Sequence, residues 1–227
     1  MARGWHEGGT YKSEVDAMNY VEFYEALERL DKRTCVKMVR QALNSQTIPL
    51  QALYLEYFVP AMSGIASNEK EQTLSIWREH IQSSIVRTLL EMCYETVMET
   101  PQTHLKALIF CLSEEYHELG ARMTADFLCL NGIQTHFIGA NTPPSEAISA
   151  IEALKPDLVC ISVTNYYHLS KLQHFLKEIE PLKIRQTFKI AVGGYAIDHT
   201  ASAKERLAVD FTISSVSDLV SIKEALL

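Results

Sequence analysis

The feature that most restricts this chain is a change of hydrophobic period at Pro101–His104. From Asn19 to about Glu99 apolar residues recur at intervals of three and four, glycine is scarce, and the only prolines are Pro49 and Pro60. That pattern predicts helices throughout. Four are expected: Tyr20–Leu30, Arg33–Ser45 with Asp31 as its cap, Leu50–Ala66, and a long Glu71–Glu99. Pro49 suits a helix start, where a missing N–H costs little. Pro60 falls inside the third apolar run and predicts a kink or break there. After residue 104 short apolar runs alternate with amphipathic stretches, the pattern of βα units around a parallel sheet. The expected strands are Leu105–Leu112, Thr135–Ile138, Leu158–Val163, Phe188–Val192 and Asp210–Ile213. The expected helices are Glu118–Asn131, Ser145–Leu154, Leu169–Ile179, Thr200–Leu207 and Ser217–Leu226. The fold class is therefore α/β: a tail (1–18), an N-terminal four-helix bundle cap (19–100), and a flavodoxin-like, Rossmann-like doubly wound parallel sheet (104–227).

Composition narrows the function. Hydrophobic residues make up 47% of the 227, enough for a packed core. The net charge of −7, with neither half basic, disfavours direct nucleic-acid binding. The one basic set, Lys32, Arg33, Lys37 and Arg40, reads as a solvated helix face. The first residues lack an apolar signal region, and no run is long enough to span a membrane. Cys35, Cys93, Cys111, Cys129 and Cys160 are odd in number, widely spaced and set in apolar segments. They predict free thiols in a cytoplasmic protein, not a disulfide framework or zinc site. His6, His104, His136, His174 and His199 have no metal-ligand spacing. No phosphate-binding glycine loop follows the first strand. No Ser-His-Asp or Cys-His arrangement can be assigned from spacing, and the reading leans away from an enzyme.

Doubly wound sheets bind ligands at the carboxyl ends of their strands. Three features fall there: Glu115-Tyr116-His117-Glu118-Leu119-Gly120 after the first strand, Ser162-Val163-Thr164 at the third, and Gly193-Gly194 at the fourth. Singly, each has an ordinary explanation: a solvated loop histidine, a capping serine, a turn. Together they point to one ligand crevice. Tyr166, Tyr167 and His168 either line that crevice or begin a helix.

Acid-x-His-x-x-Gly, then Ser-x-Thr, then Gly-Gly resembles the cobalamin-binding domain of methionine synthase, corrinoid methyl carriers and base-off mutases. The wording Tyr116-His117-Glu118-Leu119-Gly120 is most similar to the cobalamin domains of MerR-type light-responsive regulators. The resemblance implies a cobalamin cofactor, adenosylcobalamin or methylcobalamin, with His117 as the metal ligand below the corrin. Glu115, where the family usually has Asp, would accept the ligand's other N–H. Gly120 would let the backbone pass close to the ring or tail. Ser162 and Thr164 would bond the displaced base, and Gly193 and Gly194 would leave room for the nucleotide tail. In the cap, Glu79-His80-x-x-Ser83 resembles the regulators' motif over the upper axial group. Trp77, His80 and Ser83 share one helix face. The slot where those regulators carry a Trp holds Glu69 here, and Trp77 lies two residues before Glu79. The other reading makes Trp77 core and His80 an interhelical group.

Three functions are expected from this pattern. The first is a light- or cofactor-responsive sensor, a photoreceptor in transcription regulation that acts through protein contacts, since only a short tail precedes Asn19. The second is a corrinoid methyl-carrier protein of a methyltransferase system. The third is a cofactor-free interaction module. The implied partners are cobalamin, a regulator or methyltransferase protein, and a further copy of the chain as a homo-oligomer, with no nucleic acid and no membrane.

Overall fold

A computed structural model of the protein describes residues 18–70, 76–200 and 206–227. The chain divides into two compact units, Met1–Val97 and Met98–Leu227. The expected tail, the first turn of the helix expected from Glu71, and most of the expected Thr200–Leu207 helix lie outside the described residues.

The first unit is helical. α1 (Tyr20–Glu28) begins at Asn19, whose side chain accepts the N–H of Val21 at 2.9 Å. α2 (Lys32–Ser45) begins at Asp31, which accepts from the N–H of Thr34 at 3.0 Å and its hydroxyl at 2.6 Å. The third stretch does not break at Pro60. α3 (Leu50–Ala52) passes into a π-helical segment, Leu53–Phe58, and then α4 (Val59–Lys70). The wider turns just before Pro60 relieve the clash that its ring would make with an α-helical carbonyl ladder. They also keep Leu53, Tyr54, Tyr57 and Phe58 buried. Phe58 packs on Tyr54 and Phe23 at ring separations of 5.5 and 6.1 Å. α5 (Ile76–Met98) buries Ile85, Val86, Leu89, Leu90, Cys93 and Val97. Burial of such side chains, at about 1.5–3 kcal/mol for each large one, is what holds a helical unit of this kind together.

The second unit carries five parallel strands in the order β2-β1-β3-β4-β5: β1 (Lys106–Leu112), β2 (Gln134–Thr142), β3 (Leu158–Ser162), β4 (Lys189–Gly193) and β5 (Phe211–Ile213). Among the described residues, the α-helices between and after them are α6 (Leu119–Leu130), α7 (Pro144–Leu154), α8 (Leu169–Arg185), α9 (Tyr195–Asp198) and α10 (Val216–Leu226). β1 and β3 are almost wholly buried, because helices cover both faces of a central parallel strand. β2 is longer than its apolar run predicts. Two register shifts against β1 let it follow as far as Leu112↔Thr142. The short α9 had no sequence signal. The strand order reverses direction between β1 and β3, the switch point outside which sheets of this kind place a ligand.

Candidate functional site

The loop after β1 is fixed from both sides. Glu114 takes a left-handed conformation (φ 69°), and its N–H donates to Asn141 Oδ1 at 2.8 Å. Asn141, itself left-handed (φ 52°), donates its N–H to the carbonyl of Glu115 at 3.0 Å. Lys171 pairs with the Glu114 carboxylate at 2.5 Å. So held, Glu115 turns its side chain inward and is only 1% exposed.

That carboxylate is a hub. Oε1 accepts from Nδ1 of His117 at 2.5 Å and from the His117 backbone N–H at 3.2 Å. Oε2 accepts from the N–H groups of Thr164 and Asn165, each at 2.9 Å, and from Nδ1 of His168 at 3.0 Å. Burial alone would push the carboxyl up. The bonds from His117 and His168 and from the two backbone N–H groups outweigh it and hold Glu115 well below the usual carboxylate range. The glutamate therefore spans the extra methylene relative to Asp and keeps its contact with the histidine.

His117 combines a fixed ring nitrogen with an exposed body, its side chain being 61% accessible. Nδ1 donates to an anion, which leaves Nε2 as the unprotonated nitrogen of the neutral ring, the form a metal requires. Beneath it, the Cys111 thiol points at the His117 carbonyl at 3.8 Å. Burial pushes that thiol up to about 12, so it is an inert packing group. Its other partner is Ser162, which pairs with Cys111 and Gly193 across the sheet. Thr164 contributes its backbone N–H to Glu115, a role that its side chain does not reveal.

The glycines differ from one another. A Cβ on Gly120, in the first turn of α6, would meet no neighbouring group within 4 Å, so the surface is open at that point. A Cβ on Gly193 would lie 2.8 Å from the carbonyl oxygen of Ile213. One on Gly194, at φ 105°, would lie 2.5 Å from that of Val163. Neighbouring backbone, before any nucleotide tail, forbids side chains at those two positions. A packing reason for glycine thus stands beside the expected one.

In the first unit Trp77 is 56% exposed, so it is not core. Arg78 stacks over its ring at 5.4 Å. Glu79 accepts from the Ser83 hydroxyl at 2.7 Å and lies 3.4 Å from His80 Nε2, whose side chain is 72% exposed. Spacing alone does not reveal His168. The Tyr166–His168 segment does begin a helix, as one 3-10 turn, and its last residue is buried against Glu115. Nothing local marks that contact, since the partners stand 53 positions apart.

These residues fit a corrinoid. One protected imidazole is presented beside open space, and a corrin already supplies its cobalt with four nitrogens. Among the described residues no group of three or more His, Cys, Asp or Glu is arranged to hold a metal ion unaided. Nor is any described helix long and apolar enough to cross a membrane.

Comparison with known proteins agrees. Two family models, each described as a B12 binding domain, match residues 105–215 and 21–94. The HTH-type transcriptional repressor CarA of Myxococcus xanthus is 27% identical over 149 residues, covering 66% of this chain and 50% of that protein. The repressor CarH of the same organism is 26% identical over 162 residues, covering 71% and 52%. The methanol–corrinoid protein of Methanosarcina barkeri is 22% identical, covering 60% and 56%. The chain thus spans about half the length of the curated relatives it matches. The solved monomethylamine corrinoid protein of Methanosarcina barkeri shares the fold, with TM-score 0.79 at 13% identity over 91% of this chain and 97% of that one.

Proposed function

Because the chain belongs to the B12-binding domain family and its cofactor is cobalamin, we propose that His117 is the lower axial ligand to cobalt in a cofactor-responsive regulator. The observation that carries the ligand assignment is the 2.5 Å bond from His117 Nδ1 to a buried, fully engaged carboxylate. Such a bond fixes the tautomer and raises the basicity of Nε2. When bound, the cofactor supplies a cobalt–carbon bond that light or chemistry can cleave. Glu115 holds the ring in place, and Gly120 leaves the approach open. Ser162 and Thr164, at the end of β3, are the candidates to meet the displaced base, and Gly193 and Gly194 bound the space for the tail. Trp77, Glu79, His80 and Ser83 are the candidates for the upper axial group.

The regulator reading rests on likeness to CarA and CarH and on the Glu79–His80 pair. In it, a change at the upper ligand biases a protein–protein interface, between copies of the chain or with a separate regulator. The second reading, a methyl carrier serving a methyltransferase, is favoured by likeness to the methanol–corrinoid protein.

The test is to load the purified chain with adenosylcobalamin or methylcobalamin in the dark, then record absorption and particle size before and after green light. A His-on spectrum with a light-dependent change of size supports the regulator. Stable methylcobalamin that transfers its methyl group to a thiol acceptor supports the carrier. His117→Ala is expected to abolish the His-on spectrum, and an unchanged spectrum would refute the ligand assignment.

A further inference from the structure

α2 is built against the ordinary rules of helix charge. Its 14 residues include Lys32, Arg33, Lys37 and Arg40 and no acid, although acids outnumber bases 28 to 21 in the chain as a whole. Lys32 and Arg33 sit in the first turn, where the helix dipole disfavours positive charge. Arg33 and Lys37 stand four apart and Lys37 and Arg40 three apart, so like charges repel along one face. The acid next to them in sequence, Asp31, is committed to the N–H and hydroxyl of Thr34. Glu25 pairs with Arg29. Arg122, Lys171, Lys183 and Lys189 each find a carboxylate, whereas among the described residues none of the four cations of α2 does. All four are exposed, and Val36 between them is half-buried. These five side chains line one shallow groove, and its open lining is almost wholly carbon, from Val36 and the aliphatic stems of the cations. A merely solvated face needs neither charge of one sign nor an apolar floor.

We propose that this face of α2 docks an acidic amphipathic helix of a partner protein. Carboxylates at three- and four-residue spacing would meet the cations, and an apolar side chain among them would cover Val36. Lys32 to Arg40 spans about 12 Å, the length of a little over two helical turns. Occupancy relieves the repulsion along α2, so the local cost borne by the free helix is recovered on binding. Complementarity of this kind selects a partner and speeds encounter more than it adds affinity. Nucleic acid suits the face less well. The neighbouring groove between α1 and α2, which Lys37 also lines, carries Glu22 and Glu25. A phosphate backbone running on past the cations would meet those carboxylates, whereas a two-turn helix stops short of them. α2 holds none of the residues assigned to the cofactor, so the docking is independent of the reading of His117.

The test uses the full chain, cofactor-free, and a synthetic helical peptide with glutamates flanking a leucine stripe. Backbone amide resonance shifts on titration are expected to cluster on α2. Lys37→Glu combined with Arg40→Glu is expected to weaken binding about tenfold, as is replacing the peptide's glutamates by glutamine. Raised salt should weaken it further. Equal binding by the double variant or by the glutamine peptide overturns the proposal, and so do shifts spread over the chain's other cations. Duplex DNA that binds α2 as tightly as the peptide overturns the choice of an acidic protein. Self-association of the wild-type chain that the double variant loses overturns it too, in favour of a second copy. The unmet cost is tested separately. Arg33→Glu places an acid in the first turn and an opposite charge four residues before Lys37, and is expected to raise the unfolding midpoint by about 2 °C. A midpoint that stays or falls overturns the premise that α2 carries charges at its own expense.

Discussion

Each unit of the molecule carries a Glu–His pair, and the two have little in common beyond residue type. In the sheet unit the Glu115 carboxylate is buried, accepts from two imidazoles and three backbone N–H groups, and bonds His117 at 2.5 Å. In the helical unit Glu79 is about a quarter exposed, meets His80 at 3.4 Å, and accepts one hydroxyl. Burial of the anion is what separates them. A buried carboxylate must be satisfied at both oxygens, and once satisfied it dictates where its donors stand. A solvent-facing pair is free to exchange its partners for water and fixes little. The first pair holds its imidazole in one setting, and the second holds its own loosely.

Four experiments would break or sharpen that contrast. The largest effect is expected from Glu115→Ala, which leaves the N–H groups of Thr164 and Asn165 without their acceptor and should cost about 3–5 kcal/mol in urea unfolding. A loss below about 1 kcal/mol would put Glu115 in the same class as Glu79. Next is acid. The folded Glu115 carboxyl lies far below its ordinary value of 4.5, so its contribution is complete above that pH and drains away as pH falls toward the folded value. Below pH 4.5 the wild type should lose stability with a slope carrying up to about 1.4 kcal/mol per pH unit from this one group. Glu115→Gln should lack that component, and identical slopes in the two proteins would contradict the assignment. His117→Ala should cost about 1–2 kcal/mol, since it removes one charge-assisted bond from an exposed ring and leaves Oε2 engaged. Last, Glu79→Gln should change stability by less than about 0.5 kcal/mol. A larger loss would mean that the cap pair is structural after all.

Much of this was legible in the residues. The switch from period three-to-four to short apolar runs marked the division into helical and sheet regions, because buried parallel strands must be continuously apolar. The contact between Glu115 and His117 was legible because the two stand close in sequence. What stayed hidden depended on distance or on backbone. His168 finds its partner in a carboxylate far away in the chain. The length of β2 comes from register shifts that no single strand encodes. The π-helical answer to Pro60 was outside a choice framed as kink or break. Thr164 was expected to meet the displaced base, and the grip of its amide on Glu115 depends on where the backbone runs.

The crowding at Gly193 and Gly194 has an evolutionary corollary. A descendant that abandoned its cargo would still be compelled to keep both, since Ile213 and Val163 would reject any replacement. The doublet is thus a signature of architecture, and searches that count it toward ligand retention will admit empty scaffolds. Gly120 is the more discriminating witness: the polypeptide itself places no veto on a side chain there.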